Sequence, residues 1–322
     1  MKNSAFTLYL SFSTVLFSAC MKDELPVPAQ PRGGAEQLQA CLGPGYAEQV
    51  WIDLGERRVV ATNPRHAWDL AFESAPQGWR IWLNGSKLMT VWNAGEQVLE
   101  APTDTTGMGP QRRIDAPSGH PDSTAFGDWQ GRSDLYVVDL GFNTLGQPLG
   151  LRKVKVDWSG GSYRLRSALL DGSNVQEHLV TKDALRHHTS FSFANGVVDV
   201  EPPAGSWDIA LTSYTHQFYE PYMPYLVTGA LIAPDVRVAR IAGKDPSSIT
   251  LADTIAYPYS DHRNTIGYDW KEYSFDLGSY TVDPRLGFIV QDGGGYFHRL
   301  RFTDFYGSTG QVGCPAFEVV EL

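Results

Sequence analysis

Short apolar runs with partial two-residue alternation recur along the chain, among them Arg80-Ile81-Trp82-Leu83, Tyr136-Val137-Val138-Asp139-Leu140, Arg152-Lys153-Val154-Lys155-Val156 and Arg299-Leu300-Arg301-Phe302. Their β-branched and aromatic content, spaced with a period of two, predicts strands that bury one face. Glycine turn signals stand between them, at Asn84-Gly85, Asp171-Gly172, Asn195-Gly196 and Asp292-Gly293-Gly294-Gly295. A helical period beyond two turns is hard to find, and 182–187 is the best short candidate. The pattern predicts an all-β chain built of antiparallel sandwiches or barrel-like sheets.

The chain also repeats itself. Residues 51–72 lie on 190–211 without a gap, so that Val59, Pro64, Trp68, Asp69 and Ala71 recur as Val198, Pro203, Trp207, Asp208 and Ala210. Tyr136-Val137-Val138-Asp139-Leu140-Gly141 recurs as Tyr273-Ser274-Phe275-Asp276-Leu277-Gly278, and Arg164-Leu165-Arg166 as Arg299-Leu300-Arg301, in the same order. Chance matches would scatter. A length of 322 residues suits about two domains, and the repeat sets them as two related β domains in tandem, 46–182 and 183–322. The first carries an irregular, proline-marked insertion at 95–134, long enough to be a functional loop or a mobile one. The repeated Trp-Asp step reads as scaffold, a Trp anchoring the core and an Asp holding backbone N–H groups in a turn. A stacking and cation-binding site is the other reading, and recurrence in both halves favours scaffold.

The first residues read as an address. Lys2, an apolar run over 5–17, and Leu16-Phe17-Ser18-Ala19-Cys20 make a secretion signal over 1–19. The ending resembles a lipobox, which would make Cys20 the lipidated first residue of the mature chain. No other stretch approaches a membrane-spanning length of apolar residues, so lipid on Cys20 is the expected anchor. A flexible tether is expected over 20–45, where Pro26, Pro28, Pro31 and Gly33-Gly34 favour extended chain. Lys22-Asp23-Glu24 resembles the surface-export signal of Bacteroidota lipoproteins. The expected location is the outer membrane, facing the cell surface or the periplasm. Cys41 and Cys314 then remain in a compartment where disulfides persist, and they are expected to pair, two unpaired buried thiols being the alternative. With Lys plus Arg at 26 and Asp plus Glu at 36, the net charge is −10, which argues against nucleic acid as a partner.

Catalytic motifs are missing. The sequence has no Gly-x-Ser-x-Gly elbow, no Cys-x-x-Cys, no zinc-protease helix and no phosphate-cradling glycine loop, so no enzyme is expected. Only an acid pair assembled from distant residues would escape this reading. The stretch 214–225 is dense in Tyr, with Phe218 and His216. A His with a second His or a Met can hold haem iron from both sides, and His216, Met223 and His262 are the candidates, with Tyr214 and Tyr222 as aromatic walls. The adjacent His187 and His188 would face opposite sides of a strand and could not share a metal. Trp82, Trp92, Trp129, Trp158 and Trp270 supply the alternative, rings on which a glycan could stack.

The second half resembles the HmuY family of Bacteroidota lipoproteins. The residues that carry the likeness are Ser206-Trp207-Asp208-Ile209-Ala210-Leu211-Thr212-Ser213-Tyr214, Pro224-Tyr225-Leu226-Val227-Thr228-Gly229-Ala230-Leu231, Arg299-Leu300-Arg301-Phe302-Thr303-Asp304-Phe305-Tyr306, and the ending 310–318 with Cys314-Pro315. The first half joins through the repeat, Trp68-Asp69-Leu70-Ala71 being its clearest trace. The resemblance implies an all-β, lipid-anchored protein that captures haem and passes it to an outer-membrane receptor. In haem-binding relatives an axial His follows a Trp-x-x-aromatic-Ser pattern; here Trp270-Lys271-Glu272-Tyr273-Ser274 leads to Phe275, which cannot bind iron. The expectation is a binding protein for haem or a related tetrapyrrole, or else a glycan-binding or adhesion-type lipoprotein without haem.

Overall fold

The computed structural model describes residues 34–322. The signal segment, Cys20 with its expected lipid, and Lys22-Asp23-Glu24 lie outside the described residues. Strands β1 (Glu36–Gln39), β2 (Glu48–Asp53), β3 (Arg58–Pro64), β4 (Leu70–Glu73), β5 (Ile81–Leu83) and β6 (Thr90–Glu96) precede the proline-marked stretch. After it come β7 (Asp134–Asp139), β8 (Leu151–Ser159), β9 (Ser162–Ala168), β10 (Gln176–Thr181), β11 (His188–Ser192), β12 (Gly196–Val198), β13 (Ile209–Tyr219) and β14 (Tyr222–Ile232). The chain ends with β15 (Arg237–Ala242), β16 (Lys271–Ser274), β17 (Ser279–Val282), β18 (Leu286–Gln291), β19 (Phe297–Tyr306) and β20 (Val312–Glu321). Only short 3-10 segments interrupt them, and among the described residues no helix is long and apolar enough to cross a membrane. Residues 182–187 form turns, not a helix, because the Asp183 carboxylate takes the Leu185 N–H and binds the Arg186 guanidinium.

The strands form two open sandwiches and no closed barrel. One packs the sheet β12-β11-β4-β5 on β10-β9-β8-β7-β6, burying Phe72, Phe191, Tyr163, Val138 and their neighbours. The other packs β14-β13-β2-β3 on β1-β20-β19-β18-β15, around Trp51, Trp207, Phe288, Phe302 and Phe317. Each four-stranded sheet mixes the two sequence halves. The hairpin β2–β3 of the first half pairs with β13 of the second, and the hairpin β11–β12 of the second pairs with β4 of the first.

The repeated Trp-Asp steps hold this exchange. The Asp69 N–H donates to Phe191 O at 2.7 Å, and Asp69 Oδ2 accepts the Phe193 N–H at 2.7 Å. Asp208 does the same toward Ile52 O (2.8 Å) and Leu54 N–H (2.7 Å), so each Asp reaches into the opposite half. Trp207 is buried edge-on against Trp51, with ring centroids 4.5 Å apart. An ionised side chain accepting a backbone N–H binds strongly enough to fix a strand end.

The insertion 95–134 is packed. Its Phe126 and Trp129 enter the first core, and the Trp129 indole N–H donates to Trp79 O at 2.7 Å. The tether expected to run to 45 stops short. Leu38, Ala40 and Leu42 have an apolar face to bury, so β1 lies along β20 and Cys41 is joined to Cys314 by a disulfide.

Candidate functional site

Alternating residues 209–219, turned by the cis Glu220-Pro221 step onto 222–232, give one long hairpin, β13–β14. In its register Tyr214 faces Val227, His216 faces Tyr225 and Phe218 faces Met223, so Tyr214, His216 and Met223 share one face. Tyr222 pairs with Tyr219 on the other face, at the exposed tip. The His216 ring is wedged against Phe218 (4.9 Å) and Tyr268 (5.1 Å), and burial draws its pKa below the ordinary value against the pull of Asp269. Phe275 stands fully out on the β16–β17 turn. His262 lies elsewhere, exposed in the 257–268 loop with its N–H on Ser260 Oγ. The five residues put forward for haem therefore do not converge. Of the five Trp residues put forward for stacking, Trp92, Trp129 and Trp270 are buried, leaving Trp82 half-buried and Trp158 exposed.

His262 instead lines a cleft of about 500 Å³ where the exchanged strand β11 meets loops of both halves. His120, His187, His188, Arg186 and Trp82 line it too, bringing together four of the eight histidines. The alternation argument misplaced His187, which precedes the strand and is free of its period. Both imidazoles turn to one carboxylate: His187 Nδ1 lies 2.9 Å from Glu201 Oε1 and His188 Nδ1 2.8 Å from Glu201 Oε2. Glu201 itself is buried.

The two rings are held differently. His187 also reaches Asp235 with Nε2 at 3.3 Å. Burial works against its charge, but the Asp235 and Glu201 carboxylates outweigh it and hold the pKa up at about 9. His187 is thus an imidazolium at neutral pH, with both nitrogens engaged. Burial works against the Glu201 charge as well, and the two histidines overcome it, holding the carboxylate down at about 2. Among the described residues, His188 has only its Nδ1 committed. An imidazole that donates Nδ1–H to a carboxylate is fixed in the tautomer that leaves Nε2 open to a metal. Its ring meets the Trp82 indole edge-on at 4.8 Å.

Sequence reasoning missed Glu201 and set His188 aside by the alternation argument. Glu201 sits in the turn after β12, with no local motif around it, and only the fold brings it beneath the histidine pair.

The family model described as HmuY protein matches residues 45–319. No curated protein matches the chain. Among solved structures, the chain is similar to apo PinO from Porphyromonas gingivitis, at 11% identity over 90% of this chain and 98% of that one, with a TM-score of 0.35. It is also similar to the apo HmuY analog (TFO) of Tannerella forsythia, at 9% identity over 91% of this chain and 98% of that one, with a TM-score of 0.34.

Proposed function

The chain belongs to the HmuY protein family, and from that premise we propose that it is a lipid-anchored binding protein of the cell envelope that captures haem or a related tetrapyrrole for uptake. The cleft between the halves is the seat this reading assigns, and the observation that carries it is His188, backed by Glu201 on Nδ1 and facing a space shared with His120 and His262. Among the described residues no three His, Cys, Asp or Glu side chains converge as a metal cage. A tetrapyrrole brings its own ring nitrogens and asks the protein for one or two axial donors, which suits this donor set. Trp82 and the prolines of the lining offer apolar walls, and Arg186 stands near for a propionate. The iron-bound ligand would supply the colour by which capture is measured.

A titration of the purified protein with haem tests the reading. A saturable one-to-one Soret shift supports it, and an absence of any shift removes it.

A second reading has its own observation. Tyr219 and Tyr222 are 74% and 75% exposed and Phe275 is 91% exposed, an aromatic presentation at two hairpin tips that suits glycan stacking or adhesion. Retention on an immobilised glycan, lost on Tyr222→Ala, would support it.

A further inference from the structure

Behind the histidine cleft, sharing Trp82 and His188 with it, lies an inner chamber of about 150 Å³. It is lined from both exchanged sheets and from the insertion. Trp51 comes from β2, Trp68 from the Trp-Asp step, Trp82 from β5, Ser213 from β13, and Asp115 from the 114–117 segment. A cavity of roughly this volume takes a group about the size of benzene.

The charges of the chamber are unequal. Glu201 is engaged by two histidines, and Arg263 stands in the field of Glu201 and Asp235. Asp115 has no such company. Its carboxyl accepts the N–H groups of Leu83 (2.6 Å) and Ala125 (2.7 Å), and among the described residues no basic side chain pairs with it. Burial pushes it up to about 7, the two N–H groups opposing that rise. Asp115 is half-buried, a carboxyl taken partly out of water without a counter-charge is costly, and the two N–H donors leave lone pairs of both oxygens unused. Trp51, Trp68 and Trp82 line the same chamber, and an indole face attracts an ammonium, above all a methylated one.

We infer that the inner chamber is a binding site for a small organic cation, a methylated ammonium group held between Asp115 and the indoles of Trp51, Trp68 and Trp82. Its ligand class differs from that of the outer cleft, and the inference does not depend on haem being captured there.

The test is calorimetric titration of the haem-free protein with choline and, in parallel, with 3,3-dimethyl-1-butanol, which has the same shape without the charge. The inference expects saturable choline binding, and at least tenfold weaker binding of the neutral isostere. That comparison requires no variant. Asp115→Asn should weaken choline at least tenfold with the alcohol unaffected, and Trp82→Leu should weaken choline more than the alcohol if Asp115→Asn fails to fold. Equal binding of the two probes, or no saturable binding of choline, overturns the inference. Because haem is absent throughout, a failure here leaves the Soret result untouched, and the reverse also holds.

Discussion

At the residue scale the cleft is organised by Glu201, whose two oxygens take His187 and His188 and so give neighbouring imidazoles different duties. These two groups make the stability of the fold depend on pH. His187 is raised from 6.5 to about 9, so its contribution is fully present below pH 6.5 and is lost as pH rises through about 9. Glu201 is lowered from 4.5 to about 2, so its contribution is present above pH 4.5 and is lost as pH falls through about 2. The melting temperature of the protein should therefore decline between pH 6.5 and 9, and Glu201→Gln should flatten that decline. Thermal melts across this range check it, and parallel curves for the two proteins would refute it. The histidines were visible in the sequence, but their pairing was not. Alternation applies inside a strand, and His187 stands one residue outside it.

The elements were more legible than their partners. Short alternating runs and glycine turns gave the strands, and the Trp-Asp recurrence gave scaffold residues that act on backbone N–H groups, as Asp69 and Asp208 do. An internal repeat aligns residues that play the same part. It carries no information on which copy each part pairs with, and here the copies lend each other their first hairpins. The proline-marked insertion gave no sign of order because it is held by scattered side chains, Phe126, Trp129 and Asp115 among them, rather than by a period. Asp208→Ala would leave the Leu54 N–H buried without an acceptor, a loss of about 1–3 kcal/mol. Urea unfolding should show a lower midpoint of that size, and an unchanged midpoint would mean that the exchange does not depend on this carboxylate.

For the whole molecule, the disulfide joins the segment behind β1 to β20 across 273 residues of sequence, so nearly all of the described chain lies within one covalent loop. Cross-links act largely by restricting the unfolded chain. The Cys41→Ser, Cys314→Ser double variant should therefore lose about 2–4 kcal/mol, read from the shift of its urea midpoint against that of the oxidised protein. The family likeness was legible in the motifs of the second half, and the family model extends over 45–319. The location of the cleft was not legible, because it arises where β11, the 118–121 turn and the 261–263 loop come together. The most direct test of the account is a haem titration of three proteins side by side: the natural chain, His188→Ala, and the His216→Ala, Met223→Ala double variant. The account predicts a low-spin Soret band in the first and third, and affinity at least tenfold weaker in His188→Ala. Loss of the band in the double variant, with His188→Ala unaffected, would contradict it and return the ligand to the β13–β14 hairpin.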